Sequence, residues 1–153
     1  MSTNIPRPSI VPAVYYQDPN GAIDWLETAF GFEKQMVITG DKGEVQHAEM
    51  RSGNGYVMVG GEWADWAKSP KSVGGANTQD IEVQLDAGID AHCERARAAG
   101  AIVAQEPEDQ FYGHRIYRAV DPEGHRWTFS QTIRQVTREE AEQTSGLKID
   151  GWA

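Results

Sequence analysis

Two segments of the chain repeat the same order of signals, and this repeat constrains the fold more than any other feature. In the first copy, residues 18–31 run from an Asp to a Gly, alternating residues follow, and the turn 52-SGNG-55 closes them. In the second copy, residues 86–100 again run from an Asp to a Gly, and the closing turn is 121-DPEG-124. Internal repeats indicate repeated structural units. We therefore expect two copies of one β-α-β-β-β unit.

Hydrophobic spacing assigns the elements of each copy. The first helix has apolar residues at helical spacing and ends at Gly31, which is placed as its left-handed C-terminal residue. The second helix is predicted over about residues 90–99 and ends at Gly100. A strand precedes each helix, over residues 10–16 and 80–85. Because residues 80–85 alternate between polar and apolar, one face of that strand is expected to be buried.

The fold class predicted from this repeat is α+β, with two tandem β-α-β-β-β units forming a half-open barrel around a central cavity. The whole chain, residues 1–153, is expected to be a single domain. Its predicted parts are the first unit (8–60), a linker rich in Gly, Ser and Lys (61–75), the second unit (76–131) and a C-terminal tail (132–153). Within the tail, Thr137 followed by Glu140 is typical of the capping box that begins a helix.

The composition excludes some classes of partner and indicates a cellular compartment. The net charge of −9 argues against a nucleic-acid partner, which would require a basic patch. No stretch is long and apolar enough to span a membrane, and no signal peptide is indicated. The single cysteine, Cys93, excludes an internal disulfide and is typical of a reducing compartment. We expect a cytoplasmic protein with no membrane or nucleic-acid partner.

Two stretches carry a resemblance to a known family. The segment 28-TAFGFE-33, which closes the first helix, and 111-FYGHRIYRAVDPEGHRWTF-129, which closes the second unit, resemble the vicinal oxygen chelate superfamily. That superfamily includes glyoxalase I, bleomycin-resistance proteins and extradiol dioxygenases, and the chain is most similar to its small bacterial glyoxalase-like branch. The resemblance implies the paired-unit fold. It does not imply a single function, because this fold hosts isomerases, lyases, oxygenases and metal-free drug binders.

The resemblance also implies where a metal would bind. Enzymes of the superfamily hold a divalent cation through one residue on the first and one on the last strand of each unit. The repeat places these positions at Val11, Val59, Asp80 and Thr128. Two of the four side chains have no donor atom, and a hydroxyl is a weak ligand. We therefore expect no metal site there and no cofactor.

The same register predicts the side chains that line the cavity. A mostly apolar wall is expected from the first unit and a charged wall from the second, which suits an amphipathic ligand. The predicted ligand-binding residues are Tyr15, Met50, Val57, Asp80, Glu82, Arg115, Tyr117, Arg126 and Thr128. Val59, Gln46 and Ala48 are expected on the same walls, and Trp127 and Phe129 on the opposite, helix-packed face.

Several of these residues have a structural alternative. Arg115 and Arg126 either clamp a ligand carboxylate or form ion pairs with Asp80 and Glu82. The two acids are also candidates for a general base, although no catalytic partner is evident.

Other residues that could carry chemistry are also assigned from the sequence. His47 is expected on the outward face, and His114 at the cavity mouth is the only histidine considered for ligand contact. Cys93 is expected to be a buried, inert thiol, and Trp63 and Trp66 either cover the pocket or anchor the linker.

The lead hypothesis for function is a glyoxalase/bleomycin-resistance-like protein that binds a small amphipathic molecule in a metal-free cavity, with toxin or antibiotic sequestration as its role. The alternative is a metal-dependent lyase, isomerase or dioxygenase of the same superfamily with an unconventional site. A third possibility is an interaction module whose cavity is filled by its own side chains. A homodimer is expected, because the units have unpaired strand edges and superfamily members form dimers.

Overall fold

A computed structural model describes residues 6–152, and it contains two sheets and three helices. The first unit consists of β1 (Ala13–Tyr16), α1 (Pro19–Phe30), β2 (Glu33–Thr39), β3 (Val45–Ser52) and β4 (Gly55–Gly61). The second consists of β5 (Asp80–Leu85), α2 (Ile89–Ala98), β6 (Ile102–Asp109), β7 (His114–Val120) and β8 (Arg126–Thr132). A short 3-10 turn (Pro70–Val73) lies between the units, and α3 (Arg138–Ser145) follows them.

The boundaries of α1 follow from its terminal residues. The Asp18 side chain accepts a hydrogen bond from the Gly21 amide, and Pro19 occupies the first helical position, where its missing N–H is not needed. Gly31 ends the helix in the left-handed conformation, with φ of 72°. This placement of Gly31 confirms the sequence prediction, because a residue with a side chain is disfavoured at that φ.

Each unit forms its own four-stranded mixed sheet. The strand orders are β1-β4-β3-β2 and β5-β8-β7-β6, so β1 and β5 are edge strands at corresponding positions. In each sheet the first strand is parallel to the last, and the other pairs are antiparallel. The predicted α+β arrangement of two tandem β-α-β-β-β units is confirmed. The two sheets remain separate and do not close into a barrel.

The helices and one aromatic cluster join the two units. Phe30, at the end of α1, contacts both Trp127 and Phe129 of β8, with ring centroids 5.6 Å and 4.7 Å away. The indole N–H of Trp25 donates to the Ala99 carbonyl (2.8 Å), and Arg95 donates in return to the Thr28 carbonyl (2.7 Å). Each helix therefore supplies donors to the C-terminal end of the other, where backbone carbonyls have no partner within their own helix.

The face predicted to line the cavity is wrong for β3 and β4. Ala48 pairs with Val59 and Met50 pairs with Val57, and all four side chains are buried in the core. They lie on the helix side because only an apolar face can pack against α1. The residues between them, including His47 and Met58, therefore lie on the opposite face. We call the face of each sheet that is turned away from the helices its open face.

The prediction is also wrong for β7, where Tyr117 and Ala119 are fully buried on the helix side. Arg115 shares their side of the strand by alternation, opposite Gln131 of β8. On β8 the prediction is correct, because Trp127 and Phe129 are buried against the helices. The open face of the second sheet carries His114, Ile116, Arg118, Thr128 and Ser130 instead.

The turn lengths explain the misassigned register. In the first unit, Ser52 pairs with Gly55 across a two-residue turn. In the second unit, the Asp121 amide bonds the His125 carbonyl (2.9 Å), which leaves three residues in the turn. The second turn is one residue longer, so Val59 corresponds to Phe129 rather than to Thr128. A shift of one residue exchanges the two faces of a strand.

The C-terminal segment folds back on the second unit. Thr137 caps α3 by accepting a hydrogen bond from the Glu140 amide, as the capping box predicts. The Trp152 indole N–H donates to the Val136 carbonyl (3.0 Å), which holds the end of the C-terminal segment near the beginning of that segment. Ala153, the last residue of the predicted tail, lies outside the described residues. None of the helices within residues 6–152 is long and apolar enough to cross a membrane.

Candidate functional site

The open face of the first sheet presents a strip of small and apolar residues. Ala13 and Tyr15 of β1 lie opposite Met58 and Gly60 of β4. The absence of a side chain at Gly60 leaves room beside the Tyr15 ring. A pocket of about 340 Å³ lies on this strip. Its lining residues are Ala13, Tyr15, Gln46, His47, Met58, Val59, Gly60 and Trp63.

Three aromatic side chains stand at one edge of this pocket, and we call Tyr15, Trp63 and Trp66 the aromatic shelf. Tyr15 and Trp66 meet edge to face with centroids 5.9 Å apart, and Trp66 meets Trp63 in the same way at 5.1 Å. Trp63 and Trp66 are 70% and 69% exposed. Single exposed apolar residues are common, but adjoining exposed tryptophans beside a pocket are typical of interaction sites. The linker residues thus lie beside the pocket.

A buried carboxylate lies on the same face, and sequence reasoning missed it. Glu49 accepts two hydrogen bonds from the Arg7 guanidinium, at 2.9 Å and 3.1 Å, and His47 Nε2 lies 3.8 Å from it. The hydrogen bonds from Arg7 lower the pKa of Glu49, against the opposing effect of burial. Arg7 also lies over the Tyr56 ring at 5.7 Å. Assigning the apolar residues Ala48 and Met50 to the helix side would have placed Glu49 and His47 on the open face.

The open face of the second sheet is polar, as predicted. Asp80 lies opposite Arg126, and Glu82 lies opposite Thr128. The Thr128 hydroxyl donates to Asp80 (2.8 Å), and His114 Nδ1 lies 2.9 Å from the Ser130 hydroxyl. The hydroxyl groups of Thr128 and Ser130 therefore have hydrogen-bond partners within the sheet. Arg126 forms no ion pair with the residues that the structure describes.

Arg115 and Tyr117 lie away from both open faces. Arg115 forms ion pairs with Asp90 and Asp109, each at 2.8 Å, and not with Asp80 or Glu82 as the structural alternative expected. Tyr117 is fully buried, and its hydroxyl lies 2.5 Å from His92 Nδ1. Burial raises the pKa of Tyr117 far above its usual range. Neither the guanidinium of Arg115 nor the Tyr117 hydroxyl is therefore placed to bind a ligand on the open face.

The donor set at the metal positions of the superfamily does not fit a divalent cation. The observed register replaces Val59 by Met58 on the open face, and neither side chain is a ligand for a hard cation. Val11 has no donor atom, and the Thr128 hydroxyl is already bonded to Asp80. The remaining carboxylate would be a single strong ligand, whereas such sites require several.

A second group with metal-ligand chemistry lies between α2 and β6 of the second unit. Within residues 6–152, Cys93, Glu94 and Glu106 bring a thiol and two carboxylates together. Arg97 already binds both oxygens of Glu106, each at 2.7 Å, and an oxygen of Glu94. Burial raises the pKa of Cys93 to about 11, so the thiolate form is disfavoured. This placement agrees with the predicted inert thiol.

A cleft of about 800 Å³ lies between the two units, and we call it the inter-unit cleft. One wall is the β3–β4 turn and the start of β4, and the other is β5 from Ile81 to Leu85, followed by Asp86. Three of the predicted ligand-binding residues, Met50, Val57 and Glu82, line it. Its apolar lining consists of Ile10, Pro12, Phe32, Met50, Val57, Ile81, Val83, Leu85 and Trp127.

Solved structures share this architecture. TioX from Micromonospora sp. ML1 is 33% identical in sequence, with a TM-score of 0.66 over 81% of this chain and 98% of TioX. TnmS3, an antibiotic binding protein from Streptomyces sp. CB03234, is 18% identical, with a TM-score of 0.61 over 82% of this chain and 99% of TnmS3. The second likeness concerns the fold alone.

Sequence comparison agrees with the structural one. An uncharacterized protein of Mycobacterium bovis is 30% identical over 99% of this chain and 100% of its own length. The family model of the Glyoxalase/Bleomycin resistance protein/Dioxygenase superfamily matches residues 10–129, which include both units. The chain therefore belongs to the glyoxalase/bleomycin resistance protein/dioxygenase superfamily.

Proposed function

We propose that the protein binds a small amphipathic molecule with a planar aromatic part on the open face of the first sheet. The observation that carries the proposal is the aromatic shelf beside the 340 Å³ pocket. Large rings at an exposed edge bury apolar area when a ligand ring is inserted, and aromatic pairs add edge-to-face or stacked contacts. The polar end of such a ligand would lie toward His47 and Gln46, which line the pocket on its other side.

Sequestration of a toxic or antibiotic-like compound is the role that we propose for this binding. TnmS3, one of the structural neighbours, is an antibiotic binding protein. Sequestration requires a pocket that holds a ligand without chemistry. The described residues support that requirement, because the carboxylate beside His47, Glu49, is already held by Arg7.

We propose further that binding needs no divalent metal. The superfamily's metal positions supply one strong ligand at Asp80, and the other side chains there are Val11, Met58 and Thr128. A single carboxylate does not hold a divalent ion against water. Such a donor set also gives no support to the alternative of a metal-dependent lyase, isomerase or dioxygenase.

Substitution of the shelf tests the proposal. Proflavine and anthracene-9-carboxylate are planar tricyclic probes of opposite charge, and their binding is followed by tryptophan fluorescence with and without EDTA. Trp63→Ala and Trp66→Ala should each weaken binding of the better probe by roughly 2- to 10-fold, since an aromatic pair contributes about 0.5–1.5 kcal/mol. Trp152→Ala is the matched control, because Trp152 lies in the C-terminal segment. Unchanged binding in both shelf variants, or loss of binding in EDTA, would contradict the proposal.

A homodimer and a cytoplasmic location complete the proposed function. Strands β2 and β6 each pair on one side only among residues 6–152, so their outer edges are free for strand pairing. The exposed residues Met36 and Ile38 of β2 add an apolar flank beside the open face of the first sheet. We propose that a second copy covers part of these surfaces. The single buried cysteine supports a reducing compartment.

A further inference from the structure

The two units repeat the same order of elements, and this repeat predicts two equivalent junctions between them. At each junction, the last hairpin turn of one unit faces the strand–helix connection of the other. One junction joins the turn 121–125 to residues 15–18. Its counterpart joins the turn 52–55 to residues 84–87, because the repeat relates the two sets of positions.

The first junction is closed by polar side chains. The buried Asp121 accepts a hydrogen bond from the Tyr16 hydroxyl (2.6 Å). Glu123 accepts from the amides of Gln17 (2.6 Å) and Asp18 (3.0 Å). His125 Nε2 lies 2.7 Å from the Tyr15 carbonyl. Asp121 and Glu123 on the turn thus accept from the connection, His125 on the turn donates to it, and the two segments are held together.

The counterpart junction has none of these groups. The turn 52-SGNG-55 is one residue shorter and contains no carboxylate, and Gly53 and Gly55 have no side chain. Leu85 stands where the first junction has Tyr16, so the phenol that would bridge the gap is missing. No side-chain hydrogen bond joins the turn to residues 84–87 within the described chain. The inter-unit cleft lies at this position, and its volume of about 800 Å³ is within the range of small-molecule sites.

The cleft combines apolar residues with acidic ones. Its floor is apolar and includes Phe32, Met50 and Trp127 from the shared core. Among residues 6–152, the charged residues that line it are Glu82 and Asp86, and no Lys, Arg or His does so. Every residue of β5 from Ile81 to Leu85 lines the cleft, as expected of an edge strand that presents its backbone. The free carbonyls of that edge are further hydrogen-bond acceptors.

We propose that the inter-unit cleft is a second binding site, for a small molecule with an apolar body and a primary ammonium group. The apolar floor takes the body of the ligand, and the carboxylates and the β5 edge take its cationic end. The net charge of −9 attracts a cation toward the chain from a distance. This site is separate from the aromatic shelf, so a negative result at one site does not contradict the proposal for the other.

Two probes of matched shape test the charge preference. Dansylcadaverine carries a naphthalene body and a primary ammonium, and dansyl-6-aminohexanoate carries the same body and a carboxylate. Binding is measured by dansyl fluorescence, and the site is located by ¹H–¹⁵N NMR of the labelled full-length chain. The cationic probe should shift the amides of residues 52–57 and 81–86, and leave the Trp63 indole unchanged. The anionic probe should bind at least about fivefold more weakly, as expected for attraction to two partly exposed carboxylates.

Variants separate the cleft from the rest of the surface. Glu82→Gln with Asp86→Asn should weaken the cationic probe by about fivefold. The control, Glu139→Gln with Asp150→Asn, removes the same charge far from the cleft and should leave binding within about twofold, because distant exposed charges are screened by salt. Ile81→Trp should fill the cleft and abolish binding, and Trp63→Ala should not affect it.

Three results would overturn the proposal. The first is equal binding of both probes, or no binding of either. The second is a set of probe-dependent shifts confined to Trp63 and Tyr15. The third is a change in the amides of residues 81–86 with protein concentration rather than with the probe, which would assign the cleft to a second copy of the chain. If Ile81→Trp does not fold, the charge variants and the NMR map still decide between these outcomes.

Discussion

At the scale of single residues, His92 is a titratable group beside the shared core whose hydrogen bonds favour the neutral ring. Its Nε2 lies 2.9 Å from the Phe30 carbonyl, which can only accept a hydrogen bond, so this nitrogen carries the proton. Its Nδ1 then accepts from the Tyr117 hydroxyl. Phe129 packs against the ring at 4.4 Å. Both nitrogens of the neutral ring are therefore satisfied, and a second proton would displace the Tyr117 donor.

The stability of the protein should depend on pH through this residue. Burial lowers the pKa of His92 below its ordinary value of 6.5, and the nearby Arg95 charge lowers it further. As the pH falls below about 6.5, His92 binds a proton in the unfolded chain but stays neutral in the folded chain. The free energy of unfolding therefore decreases. Above that pH the effect is absent. The slope contributed by one group reaches at most about 1.4 kcal/mol per pH unit.

Urea denaturation of the wild type and of His92→Gln between pH 8 and pH 5 measures this contribution. The difference in stability between the two proteins at pH 8 reflects packing and hydrogen bonds alone. Below pH 6.5 the wild type should lose stability more steeply than the variant. Parallel curves over the whole range would show that His92 takes up its proton in the folded state.

At the scale of elements, the hairpin turns differ more than the strands that they join. The turn 121–125 holds the first unit through Asp121, Glu123 and His125, whereas the turn 52–55 holds nothing across the cleft. Glu123→Ala should lower the free energy of unfolding by about 1–2 kcal/mol, because it leaves the Gln17 and Asp18 amides without their acceptor. Chemical denaturation gives this difference directly.

Asn54→Ala is the matched control for Glu123→Ala, because Asn54 lies in the corresponding turn and borders the cleft. Its effect should stay within about 0.5 kcal/mol, as for other exposed positions without a structural contact. Equal losses from both substitutions would mean that the two junctions are equivalent, contrary to the asymmetry of their side chains.

The elements themselves could be predicted from the sequence, and the site only in part. The repeat and the glycine at the end of α1 predicted the order of helices and strands, and the alternation in residues 80–85 predicted the polar open face of β5. Strand β3 also alternates in 47-HAEMR-51, but positions counted from the turn glycines do not match between the units, because the second turn has one extra residue, and this exchanged the predicted faces of β3 and β4. Arg7 reaches Glu49 across most of the first unit, and no local pattern indicates such a contact.

At the scale of the whole molecule, the free edges of β2 and β6 and the open faces favour assembly. Light scattering at micromolar concentration should give twice the mass of the 16.9 kDa chain. Substituting Lys for Ile38, an exposed residue of the β2 flank, should shift the equilibrium toward the monomer, since it places a charge in an apolar contact. Gln46→Lys is the control on the neighbouring strand. A wild-type mass of a single chain would exclude the dimer at that concentration.

The ring cluster between the units, which includes Phe30, Trp127 and Phe129, has a consequence for how the protein folds. Both units contribute rings to this cluster, so neither unit has a complete core of its own. A protease cut within residues 61–75 would break the chain between the two units. The two fragments should still bind each other, because the shared rings are buried from water only when both units are present. Unfolding should therefore be cooperative over both units, and the repeat visible in the sequence does not divide the molecule into two independently stable pieces.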